Sequence, residues 1–265
     1  MLVHSRAGRR AARAVFLVLF LPLFALPFAV VVAASFATGW SGAFPSGPTL
    51  THYREAVHGD ALHALVTSLV TAVVASVAAL ALGTWAALAA QALRRRGRRV
   101  VEALFVLPVA VPSVVVGLSL LVAFSTPPLL LNGTPAIVVL AHTVLVTAFA
   151  HQSVSAALTR LDPAYEQSAA SLGASPGYVL WRVRLPLLLP SLTAAAGLCF
   201  ALSMGELSAT MMLYPPSWVP LPVTLFGATD RGALFAGAAM AVVLMAATLL
   251  VLLAVSRIRT RASYR

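Results

Sequence analysis

Six long apolar stretches separated by short polar segments organise the chain: residues 14–36, 62–92, 101–124, 136–157, 187–213 and 233–255. Each reaches the roughly 20 residues that an α-helix needs to cross about 30 Å of hydrocarbon. The pattern predicts an all-α, polytopic membrane protein with six transmembrane helices. The second stretch is long enough to tilt or to extend beyond the bilayer. The first follows Arg6, Arg9, Arg10 and Arg13 and ends on small residues, as a signal peptide would. Its apolar run exceeds the roughly 7–15 residues of a cleaved signal, so an uncleaved anchor is expected. No repeat of domain-building length is visible, and no appended soluble domain is expected.

Composition agrees with the pattern. Hydrophobic residues make up 60% of 265 positions, charged residues 9%, and mean hydropathy is +0.95. A soluble domain has no use for so much apolar side chain. The chain has 18 basic residues, all Arg, against 7 acids. A nucleic-acid binder would gather its Arg on one solvated face. Here they stand in short clusters between apolar runs, so no nucleic-acid partner is expected. With the N-terminus inside, the cytoplasmic segments hold Arg6–Arg13, Arg94–Arg99, Arg160, Arg182, Arg184 and Arg257–Arg265, leaving only Arg54 and Arg231 outside. That bias requires an even number of spans with both ends cytoplasmic. The resulting division is a cytoplasmic N-terminal segment 1–13, a six-span domain 14–256, and a cytoplasmic tail 257–265. Outer segments 38–61, 125–135 and 214–232 have loop compositions, with Trp40, Tyr214 and Trp218 near the interfaces. The lone Cys199 can form no intrachain disulfide and reads as a small packing residue.

Directed transport needs an energy source. A phosphate-cradling GxxxxGK[ST] loop requires Lys, and the chain has none. Ion-coupled carriers place ionisable groups within their spans. Only Glu206 lies clearly inside one, with Glu102 at the edge of another. No His, Cys and acid cluster stands at metal-ligand spacing, and no nucleophile–base pair can be argued. The expectation is a transport subunit that is not itself an enzyme, binds no metal and no cofactor, and relies on a separate ATPase.

The third cytoplasmic segment, about 158–186, is long and polar between two spans. Small residues surround Gly173, Ser175 followed by Pro176 predicts a helix start, and Tyr178 and Trp181 would stand on that short helix as anchors for a groove. Its spacing resembles the coupling loop of binding-protein-dependent ABC importer permeases, in which Glu-Ala-Ala, three residues, Gly, nine residues, then an apolar residue-x-Leu-Pro occur in order. Gly173, Val183, Leu185 and Pro186 fall on the pattern. The opening triplet falls on Gln167, Ser168 and Ala169, departing at its first two positions, while Glu166 stands one residue early. A solvated connector with an amphipathic helix is the plain alternative.

Residues 44–59, 122–134 and 203–232 extend the likeness, which is greatest to permeases importing 2-aminoethylphosphonate. Permeases for ferric iron, thiamine, polyamines and oxyanions share the broad pattern and are the alternative, followed by an ion-coupled secondary transporter. The resemblance implies a type I ABC importer permease fold in the bacterial inner membrane. It implies ABC ATPase subunits that use ATP and Mg, a second permease (identical or sister), and a periplasmic binding protein. It places ATPase docking on Glu166, Gln167, Ser168, Ala169, Gly173, Ala174, Tyr178, Val183, Leu185 and Pro186.

Pathway candidates come from polar residues in apolar runs: Glu206, Ser203, Ser208, Thr210 and His142, with Gln152, Ser113 and Ser119 behind them. Each could equally knit helices together. Pro108, Pro112 and Gly117 predict a kinked or opened third span.

Overall fold

The computed structural model describes residues 5–262; Arg265 and the rest of the 263–265 tail, like residues 1–4, lie outside the described residues. The described chain forms two compact units. One comprises the residues up to Leu62 together with Leu225–Met245, the other His63–Thr224 with the residues from Ala246 onward. Five helices are long and apolar enough to cross a membrane, and a bent pair makes a sixth span when counted as one.

In the first unit, α1 (Arg6–Ser35) begins at Ser5, whose Oγ accepts the Gly8 amide at 2.9 Å. No residue of its most apolar window is buried among the described residues, which leaves most of that surface for lipid or a partner. At its far end the Ser35 hydroxyl meets the Tyr53 hydroxyl at 2.7 Å, tying down the short helix α2 (Thr51–Ala56). That helix falls in a segment expected to be loop.

The second unit is built around α6 (Pro135–Leu158). Of its most apolar window 61% is buried, against 39% for α3 (Gly59–Gln91). Small side chains let the helices approach, as membrane packing requires where no water drives association. Ala79, Val146, Ala150 and Cys199 form one cluster between α3, α6 and α9 (Leu185–Met204). Cys199 is therefore a packing residue, as expected. Ala87, Val154, Leu158 and Leu188 form a second cluster below it. Hydroxyls add cross-links: Trp218 Nε1 donates to Thr71 Oγ1 at 3.0 Å, and the Leu221 amide donates to Ser68 Oγ at 2.8 Å.

Two expected spans are broken. The third consists of α4 (Arg95–Ala110) and α5 (Ser113–Ala123), bent by 103°. The cause is Pro112, whose ring disfavours the helical region for the residue before it; Val111 is extended at φ −103°, ψ 136°. Pro108 is absorbed within α4, so the kink expected from three residues is located at one. The fifth apolar stretch, expected as a single span through residue 213, stops at Met204. Gly205, Glu206 and Leu207 interrupt it before α10 (Ser208–Leu213). The outer segment 214–232 is also more ordered than its composition suggests, since α11 (Leu221–Asp230) occupies it before α12 (Leu234–Ala262).

The two broken ends pack on each other. A Cβ added to Gly117 of α5 would stand 2.8 Å from the Ala209 carbonyl oxygen and 2.9 Å from its Cα. Gly117 thus serves as the contact that lets α5 and α10 touch backbone to backbone. Gly117→Val should overpack this contact at a cost of about 1–3 kcal/mol. A lowered melting temperature of the detergent-solubilised protein is expected, and an unchanged one would contradict this packing.

Candidate functional site

The breaks frame a cleft of about 330 Å³, lined by Pro108, Pro112, Ser113, His142, Ser203 and Glu206 among mostly apolar neighbours. His142 lies seven residues into α6, roughly 10 Å along its axis, and is 2% exposed. Its Nδ1 meets Ser203 Oγ at 2.7 Å and its Nε2 meets Thr210 Oγ1 at 2.8 Å. Thr210 in turn donates to the Glu206 carbonyl at 3.3 Å. Directions follow from that last bond: Thr210 accepts from Nε2–H, and Ser203 donates to Nδ1. The ring is satisfied as a neutral imidazole. This chain of bonds holds α6, the end of α9 and α10 together.

Glu206 sits in the break itself. Its Oε1 accepts the Ala209 amide at 2.7 Å, satisfying a donor that the start of α10 would otherwise leave unpaired. Of the expected pathway residues, then, His142, Ser203, Thr210 and Glu206 are brought together, and Ser113 joins the cleft wall. Ser208 is exposed and lies outside the cleft. Ser119 bonds to the Val115 carbonyl of its own helix at 2.8 Å, and Gln152 is exposed on α6. Among the described residues, no three His, Cys or acidic side chains converge to hold a metal ion.

The polar loop is equally well determined. Asp162 Oδ1 accepts the Ala164 amide at 2.9 Å and opens α7 (Ala164–Ser171). The helix closes on Gly173 at φ +82°, a conformation that glycine adopts without a Cβ penalty. The Gly173 amide bonds to Ala170 at 2.9 Å and the Ala174 amide to Ala169 at 3.1 Å, the paired bonds of a Schellman ending. Ser175 then caps α8 (Pro176–Val179) by accepting the Tyr178 amide at 3.4 Å, with Pro176 in the first turn, as expected. The short helix expected to end near Trp181 does not end. It passes through a wider π turn, Leu180–Arg184, directly into α9.

One pairing is invisible in sequence. Both carboxylate oxygens of Glu166 accept from the Arg184 guanidinium, clamping α7 to the π turn. Eighteen residues separate the two, so no helical spacing announces the pair. Gln167, Ser168, Gly173 and Pro186 are exposed, whereas Ala169, Ala174, Val183 and Leu185 are half-buried within the loop and its junction. Large apolar side chains project outward instead: Leu172 is 88% exposed, Trp181 65% and Tyr178 56%.

The sequence family described as binding-protein-dependent transport system inner membrane component matches residues 79–264. The chain belongs to that family. This permease is 49% identical over 98% of both chains to a Salmonella typhimurium protein named for the 2-aminoethylphosphonate transport system, permease protein PhnV. It is 30% identical to the Escherichia coli putrescine transport system permease protein PotI, over 83% of this chain and 80% of the other. Among solved structures, a bacterial ABC transporter involved in alginate import superposes with a TM-score of 0.72 at 15% identity, covering 96% and 94% of the two chains. The methionine ABC transporter MetNI gives 0.64 at 16% identity over 76% and 95%. These structural likenesses concern the fold. The chain is an inner-membrane ABC importer permease, all-α, as its apolar pattern indicated.

Replacing His142 by Phe removes one partner from each of two buried hydroxyls, a loss of about 1–3 kcal/mol for each group left unpaired. The permease should melt lower and take up less solute, and His142→Gln, which retains one donor and one acceptor, should recover part of the stability. Equal melting of His142→Phe and wild type would remove the network's structural role.

Proposed function

We propose that this permease carries 2-aminoethylphosphonate inward across the membrane, delivered by a periplasmic binding protein and driven by ATP and Mg used in separate ABC ATPase subunits. The observation behind the substrate is the 49% identity extending over 98% of both chains. At 30% identity the named solute is already different. This reading gives the chain no cofactor of its own and makes it half of a pathway completed by a second permease, identical or sister. In this reading both termini lie in the cytoplasm, which the Arg distribution supports.

Docking of the ATPase falls to the loop between α6 and α9. A partner surface gains most from burying large apolar groups that the free chain exposes, and Leu172, Tyr178 and Trp181 are such groups. The remaining loop residues shape and border that surface. Glu166, Gly173 and Ala174 fix the loop's shape, Gln167, Ser168 and Ala169 form the α7 face, and Val183, Leu185 and Pro186 make the junction with α9. Continuity of the helix from Pro176 to Met204 supports transmission of loop movement toward the cleft.

The test is reconstitution of the permease with candidate ATPase and binding-protein subunits in proteoliposomes. ATP-dependent uptake of labelled 2-aminoethylphosphonate is expected, with none from the permease alone. Leu172→Arg, at a position 88% exposed and so inexpensive to the fold, should lower ATPase co-purification at least tenfold. Uptake by the isolated chain, or undiminished capture by Leu172→Arg, would overturn the reading.

A further inference from the structure

Glu206 is the one acidic side chain among the residues that line the cleft between the two helix breaks. Among the described residues no cation pairs with Glu206. Its Oε1 is engaged by the Ala209 amide, while Oε2 has no hydrogen-bond partner and is not sealed from the cleft. The other polar groups lining the space are mostly occupied. His142 and Ser203 bond to each other, leaving the Ser113 hydroxyl as a neutral neighbour. Val109, Val146, Phe149 and Leu202 supply apolar walls.

A carboxylate at membrane depth commonly faces a partner group or a solute path. Among the described residues nothing positive meets it, and a cationic group of a passing solute would. A phosphonate facing the carboxylate would be repelled, which fixes the orientation by sign. The volume of about 330 Å³ has room for a small aliphatic amine.

We propose that Glu206 is the counter-ion for the primary ammonium group of the transported solute, so that the permease itself selects for the amino end. This rests on the reading of the solute as an aminoalkylphosphonate and deepens it, because selection is then not confined to the binding protein. The ammonium docks on Oε2 while Oε1 keeps α10 capped. Occupancy of the carboxylate and integrity of the break are therefore linked at a single side chain. Ser113, at the start of α5, is the neutral donor available to the solute's anionic end.

Glu206→Gln separates the two roles, since its amide oxygen can still accept the Ala209 amide while the charge is gone. The permease–ATPase complex, purified without binding protein, is to be titrated with labelled 2-aminoethylphosphonate by equilibrium dialysis. Ethanolamine, which has the ammonium alone, and ethylphosphonate, which has the phosphonate alone, serve as competitors. Wild type should bind, ethanolamine should compete better than ethylphosphonate, and Glu206→Gln should weaken binding at least tenfold at an unchanged melting temperature. Glu206→Asp should fall between. Equal binding by Glu206→Gln, better competition by ethylphosphonate, or no binding to wild type each overturns the proposal. Uptake in the full complex keeps the two readings apart. Absence of 2-aminoethylphosphonate uptake by wild type removes the substrate assignment, whereas normal uptake with an indifferent Glu206→Gln removes this inference alone.

Discussion

One continuous helical run, Pro176–Met204, joins the polar loop to the cleft, and the proposed coupling of the two depends on it. At 1.5 Å per residue its 29 residues span about 43 Å. At one end the Glu166–Arg184 pair locks α7 against it. At the other, Gly205–Leu207 breaks it beside Glu206 and His142. In the proposed mechanism a push on the loop is carried along this helix to the break. The π turn at Leu180–Arg184, to which Arg184 of the clamping pair belongs, and Pro190 within α9 are irregularities on that line.

The far end is arranged to respond as a unit. Non-helical backbone within a membrane is tolerated where protein or a cavity satisfies it. Here the satisfaction comes from Glu206 Oε1 accepting the Ala209 amide, Thr210 Oγ1 donating to the Glu206 carbonyl, and the Gly205 and Glu206 amides bonding back to Ala201 and Ser203, while Gly117 packs directly on Ala209. α5 and α10 are consequently one packed element carried on two bends. That arrangement puts a carboxylate and the capped start of a helix beside a mostly apolar cleft.

Much of this was legible in the residues. The six apolar stretches, the cap at Ser175 and the disruption at Pro112 all follow from local chemistry: helix length, hydroxyl capping and a proline ring. His142, Ser203, Thr210 and Glu206 stood out as polar groups in apolar runs, and the structure brings them together. What escaped was non-local. Apolar residues continue on both sides of Gly205–Leu207, so hydropathy alone reads through the break. Glu166 and Arg184 meet only because the chain reverses at Gly173 and Ser175. The Pro-rich stretch before Leu221 suggested loop, yet Pro220 and Pro222 are compatible with a helix start, and α11 forms there.

The account is tested most directly by exchanging the two charges of the clamp. The solute taken up per ATP hydrolysed should be measured for Glu166→Arg, Arg184→Glu and the double exchange in the reconstituted importer. Each single exchange should lower that ratio several-fold by setting like charges against each other, and the double exchange should restore most of it. Single variants that keep the wild-type ratio would show that the loop moves the cleft without this clamp, contradicting the account.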